Sequence, residues 1–284
     1  MTRLSIFIFS IVVVVSSKAE EKPHAIFVIG TPHYNPAATM PPLAQQLQEN
    51  FGFKTTILKT DYNPERNSKG IPGLEILAEA DVVIFYLRFL TLPEDQMAMV
   101  ENYLKSGKAV VGFRTTTHAF KYPADHPLEK WNDGFGKDAM GSKYFIHGAG
   151  TTMVTKAADH EILTGVDLAK PRQAGGTLYL SELPKDATVL LEGTGPFKRT
   201  GTVKNGFGTH ELEPEMTDDV TWIWTNQWGG RVFGSTIGHV DSFKDENWMR
   251  LAINGIHWAA GKPVPAADSK VIALTGDIPK HQKK

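Results

Sequence analysis

The chain has 284 residues, 30 basic and 31 acidic side chains, a formal charge of -1 at pH 7 and no cysteine. A near-neutral balance excludes the electrostatic footprint of a nucleic-acid binder. The missing thiol excludes disulfides, thiolate metal sites, iron–sulfur clusters and cysteine nucleophiles, and a chain this long can bury a core without such cross-links.

Residues 1–19 read as a secretory signal peptide. Arg3 supplies the positive start, Leu4 to Val15 the apolar run, and Ser17-Lys18-Ala19 a small-x-small cleavage site. The run is too short to span a bilayer comfortably, so no membrane association is expected beyond export to the periplasm or medium. Cleavage after Ala19 removes Arg3 and Lys18 and no acid, which moves the charge from -1 to -3. A retained N-terminal anchor is the rival reading.

His24–Gly30 reads as the first buried strand, and Thr39 to Phe51 as a helix with Leu43, Leu47 and Phe51 on one face. Phe53–Leu58 is a second strand, Leu74–Ala80 a short helix, and Asp81–Leu87 a nearly all-apolar third strand. Pro93 opens a helix that Gly107 ends, and Lys108–Phe113 is a fourth strand. Residues 121–150 read as a surface excursion, and 151–155 and 187–191 as later strands. Thr221–Thr225 and Arg231–Thr236 form a hairpin around Gly229-Gly230, and Asn247–Ala260 a closing amphipathic helix. Residues 263–284, with Lys280, Lys283 and Lys284, read as a loosely ordered tail. The alternation predicts an α/β fold over residues 20–262: a flavodoxin-like three-layer sandwich with a mainly parallel central sheet.

In such sheets ligands bind beyond the carboxyl ends of the strands. That rule selects His33 and Tyr34 after the first strand, Arg88 after the third, Arg114 to His118 after the fourth, and His239 to Asp241 after the last. Val111-Gly-Phe-Arg-Thr-Thr-Thr-His118 runs from strand into tight turn, where hydrolases place a nucleophile. Arg114 and Thr116 are candidate ligand contacts there, and Thr115 a candidate catalytic hydroxyl; the bland alternative is a threonine that caps a helix. In Ser235-Thr-Ile-Gly-His-Val-Asp241, the carboxylate stands two residues past the imidazole, so Asp241 can orient His239 for acid–base work. His118 and His147 are further contacts, and Trp131 a platform for a sugar ring. The Asp159-His160-Glu161 run reads as a polar loop. Neither a GxGxxG nor an HExxH pattern occurs, so no dinucleotide is implied and a metal stays without a motif.

Val220-Thr-Trp-Ile-Trp-Thr-Asn-Gln-Trp-Gly-Gly-Arg-Val-Phe-Gly-Ser-Thr-Ile-Gly-His239 resembles the closing segment of ThuA-like, trehalose-utilisation proteins. Arg250–Gly261 resembles their last helix, Val111–Phe120 their elbow, and Asp159–Val166 their H-P-I-L-x-G-V segment, with Glu161 in place of proline. The resemblance spans about residues 24–262. It implies a class I glutamine-amidotransferase-like fold and a saccharide or keto-sugar substrate. It also implies that Thr115 or a neighbour stands where the related amidotransferases carry cysteine, so glutaminase chemistry is excluded. His33-Tyr34-Asn35-Pro36 departs from the acidic residue that relatives often carry before the tyrosine. Three readings follow: an exported sugar-transforming enzyme, a non-catalytic sugar-binding protein, or a partner subunit of an oxidoreductase or hydrolase; the sequence leaves homo-oligomerisation open.

Overall fold

The computed structural model describes residues 21–60 and 70–280; the expected signal peptide and the last two lysines lie outside them. The strands are β1 (His24–Gly30), β2 (Lys54–Lys59), β3 (Val82–Leu87), β4 (Ala109–Phe113), β5 (Lys143–His147), β6 (Thr152–Lys156), β7 (Arg172–Ala174), β8 (Tyr179–Glu182), β9 (Thr188–Pro196), β10 (Gly201–Asn205), β11 (Gly208–Leu212), β12 (Glu215–Thr225) and β13 (Arg231–Ser235). The helices are α1 (Pro36–Asn50), α2 (Glu94–Lys105), a short α3 (Trp131–Gly134) and α4 (Glu246–Ala259).

One sheet organises the molecule, in the order β2-β1-β3-β4-β13-β12-β9-β6-β7. From β2 to β13 neighbours run parallel, and from β13 to β7 each pair is antiparallel. The sheet is therefore mixed rather than mainly parallel. The long β12–β13 hairpin reverses the chain, and β9 and β6 then extend the sheet from its second half. Two small hairpin-like pairs, β5–β8 and β10–β11, stand apart from it.

The parallel half is buried on both sides, and its side chains alternate between two cores. Ala25, Phe27 and Ile29 of β1 join Val82, Ile84 and Tyr86 of β3 in a core that also takes Leu43 and Leu47 of α1 and Leu251, Ile253 and Ile256 of α4. Ile26 and Val28 join Val83, Phe85 and Leu87 in the opposite core, with Met97, Val100 and Leu104 of α2. The period of two along a strand enforces this division, and each fully buried side chain of this size contributes roughly 1.5–3 kcal/mol. Helices thus cover both faces of the sheet, as the apolar runs at β1 and β3 require.

Helix α1 starts earlier than its apolar spacing indicates, because Pro36 opens it and Pro41 and Pro42 fall inside it. The tail expected to be loose is instead tied down. Gln46 Nε2 donates to the Ile272 carbonyl (2.9 Å) and its Oε1 accepts from the Ile272 N–H (2.8 Å). Arg250 Nη2 donates to Ser269 O (2.7 Å), Leu274 N to Phe243 O (2.8 Å), and Asn35 Nδ2 to Pro279 O (3.1 Å). Residues 263–280 form a strap that returns from α4 across α1 to the loop after β1. Among the described residues no helix is long and apolar enough to cross a membrane.

Candidate functional site

The strand order reverses at β1, with β2 on one side and β3 on the other. The crevice beyond this switch point is where open α/β sheets bind ligands. The loops after β1, β3, β4 and β13 meet there. Backbone strain concentrates at the same place: Tyr34 (φ 61°), Asn35 (φ 48°), Phe89 (φ 50°) and Arg114 (φ 52°) all adopt left-handed conformations, and among the described residues Asp125 is the other non-glycine residue that does. Each such residue costs about 1–3 kcal/mol and persists only where surrounding contacts over-determine it.

Arg114 shows how. It is buried at the end of β4, with 2 % of its surface exposed. Its Nη1 donates to the carbonyls of Thr177 (2.7 Å) and Thr236 (2.9 Å), and its Nη2 to Thr177 Oγ1 (3.2 Å) and Tyr34 Oη (3.5 Å). The guanidinium carbon lies 4.0 Å from the centre of the Tyr179 ring and 4.8 Å from that of Tyr34. Among the described residues it has no carboxylate partner. Burial disfavours its charge, yet Tyr179 and Tyr34 more than offset this and hold its pKa above the ordinary value. The elbow and the β13 loop are thereby tied together, and Tyr86 Oη adds a bond to Gly238 O (2.7 Å). Gly238 permits the approach: a Cβ there would sit 3.3 Å from both Arg114 Cβ and Phe113 Cβ.

Tyr34 lies between the two segments. Its hydroxyl is 3.1 Å from that of Tyr179, and its ring centre is 5.2 Å from the His239 ring and 5.3 Å from Lys280 Nζ at the end of the strap. Burial opposes ionisation of Tyr34, but the Arg114 charge, the hydrogen bonds from Tyr179 and Arg114, and Lys280 outweigh it and lower its pKa. Tyr179 moves the other way: burial holds its phenol well above the usual value despite the same guanidinium. His239 Nδ1 accepts from the Asp241 N–H (3.1 Å), while Asp241 Oδ2 stands 3.3 Å away and Oδ1 pairs with Lys244 (3.2 Å). The neutral ring therefore carries its hydrogen on Nε2, and the carboxylate is placed to pair with Nδ1 when the ring is protonated.

The rest of the rim is aromatic. His118 packs against Tyr144 (4.2 Å between ring centres), Phe89 (5.1 Å) and Tyr179 (5.9 Å). Burial, then Arg88 and Arg114, hold its pKa well below the ordinary histidine value, so it is a neutral wall rather than a charged contact. Phe207, at the tip of the β10–β11 hairpin, stacks on Phe89 (6.4 Å) and meets Tyr144 edge-on (5.0 Å). His147 at the end of β5 faces Tyr179 (6.1 Å), and His33 faces Tyr34 (6.4 Å). Of the candidates from sequence, His33, Tyr34, Arg114, His118, His147, His239 and Asp241 thus share one cluster. Tyr144, Tyr179, Phe207 and Lys280 complete it; only distant pairing of strands and tail brings them there, and no local motif marks them.

Three candidates take other places. Thr116 Oγ1 donates to the Phe85 (2.9 Å) and Phe113 (2.7 Å) carbonyls and accepts from Leu87 N (3.2 Å), so it locks the elbow to β3 instead of facing a ligand. Thr115 is buried, and its hydroxyl has no hydrogen-bond partner among the described residues. A hydroxyl nucleophile needs an adjacent base, which the geometry does not supply. The strained position of the elbow belongs to Arg114, one residue earlier. Trp131 is not a surface platform: it is buried in the core that holds α2, near Trp228 (6.4 Å). His160 caps a helical turn, its Nδ1 accepting from Ile162 N (3.2 Å). Among the described residues no group of three or more His, Asp or Glu side chains converges to hold a metal ion.

Gly176 (φ 86°) lets the loop before β8 close on the site, where a Cβ would lie 2.8 Å from Arg114 Nη2 and 3.1 Å from His239 Cβ. Gly176→Ala is expected to cost about 1–3 kcal/mol of stability through backbone strain and displacement of Arg114. A wild-type melting temperature and unchanged ligand affinity would contradict that packing.

A mixed α/β sheet with a strained, cysteine-free elbow beside a histidine loop defines an α/β protein consistent with a flavodoxin-like fold, whose elbow cannot run thiol chemistry. The chain belongs to the ThuA family, described as trehalose utilisation, whose model matches residues 29–259. Among solved structures it is similar to a ThuA-like protein from Parabacteroides merdae (14% identity, TM-score 0.60, covering 88% of this chain and 96% of that one). It is also similar to a ThuA-like protein from Bacteroides uniformis (16%, TM-score 0.51, 86% and 94%) and to a cytoplasmic protein from Salmonella typhimurium (10%, TM-score 0.52, 83% and 98%). No curated protein sequence matches this chain.

Proposed function

We propose that this chain is an exported enzyme that acts on a sugar or keto-sugar by acid–base chemistry. Its body is the flavodoxin-like, class I glutamine-amidotransferase-like arrangement with added antiparallel strands, and residues 1–19 are its export signal. The observation that carries the reading is the convergence on Tyr34: Arg114 at 4.8 Å and His239 at 5.2 Å come from different strand ends and flank one phenol. The family description as trehalose utilisation supports a carbohydrate substrate. The half-buried rings of Phe89 and Phe207, backed by Tyr144, offer the apolar faces against which the C–H faces of a sugar pack. His239 acts as acid or base, with Asp241 beside Nδ1 to stabilise its protonated form.

Arg114 holds the site together instead of gripping substrate, since four of its N–H groups go to protein acceptors. Calorimetry and product analysis over a panel of mono- and disaccharides, with their keto derivatives, test the reading. A sugar that binds and is converted is the expected result. Binding without product across the panel would instead support a non-catalytic sugar-binding protein, and co-purification with an oxidoreductase or hydrolase would support a partner subunit.

A further inference from the structure

We propose that Tyr34 is a catalytic residue, the base that removes a proton next to a sugar carbonyl, and that Arg114 stands in the elbow's nucleophile position to hold its phenolate. The proposal rests on the reading of this crevice as the reaction site.

Four observations carry it. First, the strained residue of the elbow is a buried guanidinium with no carboxylate partner among the described residues, and one of its N–H groups points at the Tyr34 hydroxyl. Its Nη1 and Nη2 groups are bonded to neutral acceptors, which leaves the buried charge itself uncompensated, and Tyr34 and Tyr179 are the phenols that its hydrogen bonds and ring contacts reach. Second, Tyr34 and its successor Asn35 are both held in left-handed conformations. This loop is therefore fixed by its surroundings, with Asn35 bonded to Pro279 O. Third, a second cation arrives from far along the chain: the strap ends with Lys280 Nζ 5.3 Å from the Tyr34 ring centre. Fourth, the two phenols lie 3.1 Å apart in different environments. The Arg114 charge, the hydrogen bonds from Tyr179 and Arg114, and Lys280 lower the pKa of Tyr34, whereas burial raises that of the enclosed Tyr179. Neighbouring phenols driven in opposite directions separate a base, Tyr34, from the neutral hydroxyl of Tyr179 that supports it.

The step balances. The Tyr34 phenolate oxygen takes a proton from the carbon beside the carbonyl and becomes a phenol. The electron pair of the broken C–H bond becomes the carbon–carbon double bond of an enolate, and the carbonyl π pair moves onto the oxygen, which accepts a hydrogen bond from His239 Nε2–H. Return of the proton from Tyr34 to carbon closes the exchange.

Titration of the folded protein by tyrosinate absorbance near 295 nm tests the ionisation without a substrate. The wild type is expected to show one tyrosine ionising below the free-phenol value of about 10. Tyr34→Phe is expected to lose that step and His239→Gln to keep it. Lys280→Gln, which removes an exposed cation and leaves the core intact, is expected to move the midpoint upward. On a converted sugar, Tyr34→Phe is expected to lower kcat at least 100-fold with little change in KM, and to abolish the limb of the pH–rate profile that tracks the spectroscopic midpoint. No tyrosine ionising early, or a Tyr34→Phe enzyme with the wild-type pH profile, would overturn the proposal while leaving the sugar-enzyme reading intact. An early tyrosine that disappears in Tyr34→Phe, in a protein that converts no sugar, would uphold the activated phenol and reject the proposed substrate.

Discussion

Replacing His239 by alanine is expected to lower turnover of a converted sugar by about 10²-fold or more, the usual worth of a positioned acid–base group. Gly238 lets the loop after β13 lie against Arg114, and the turn that follows points the Asp241 N–H at His239 Nδ1. That bond fixes the neutral tautomer and leaves the hydrogen on Nε2. When the ring takes a second proton, Asp241 Oδ2 at 3.3 Å stabilises the resulting charge. Alanine removes the donor and the acid together, whereas glutamine keeps a donor near the same place and should recover part of the loss. Asp241→Asn retains the backbone bond and removes only the stabilising charge, so its effect should be smaller. Unchanged turnover in His239→Ala would reject the assignment.

The second large effect is on stability. His257 is buried against the edges of Phe51 (5.7 Å) and Phe53 (4.9 Å), and its Nδ1 donates to Pro263 O (2.9 Å). Burial lowers its pKa from 6.5 to about 4, partly offset by that bond. His118 in the aromatic rim is lowered in the same direction. Above pH 6.5 these rings are neutral in both folded and unfolded chains and contribute no pH dependence. Below 6.5 the unfolded chain takes up protons that the folded one refuses, so stability falls as pH drops from 6.5 toward the folded value. For His257 alone the loss by about pH 4 is on the order of 3 kcal/mol. Denaturant melts at pH 7, 6, 5 and 4.5 should show this decline, and His257→Gln should flatten it. A wild-type stability that stays level from pH 7 to 5 would refute the neutral, buried state of these rings.

The parallel half of the fold was legible because its strands are buried on both faces. Runs such as Val82–Leu87 have no polar positions to disguise them. The antiparallel half was harder to read. β9 and β12 mix exposed and buried positions, and β12 extends far beyond the apolar stretch at its end. The sequence reads as strand only over 187–191, and the glycines and threonine that follow in β9 carry no strand signal until pairing with β12 and β6 gives them partners. The strap was hidden for a different reason: its bonds are mostly to its backbone, as at Gln46, so its own side chains carry little signal.

At the site, loop position after a strand identified the ionisable residues correctly as neighbours, because strand order alone places them. It did not separate their roles. Thr115 and Thr116 have the chemistry of a nucleophile and a contact, but the elbow turns Thr116 inward and gives the strained position to Arg114. Trp131 looked like a platform because its polar neighbours hide the two turns that bury it. Tyr179 lies 145 residues from Tyr34 in sequence, and only the pairing of β8 with β5 delivers it.

The central claim is that the elbow after β4 and the histidine loop after β13 serve one site centred on Tyr34. A crystal structure with a bound saccharide tests it most directly. The expected result is a sugar ring against Tyr144 and Phe207, with an oxygen or the reacting carbon within reach of Tyr34 Oη and His239 Nε2. A saccharide seated elsewhere on the molecule, with both of these groups untouched, would contradict it.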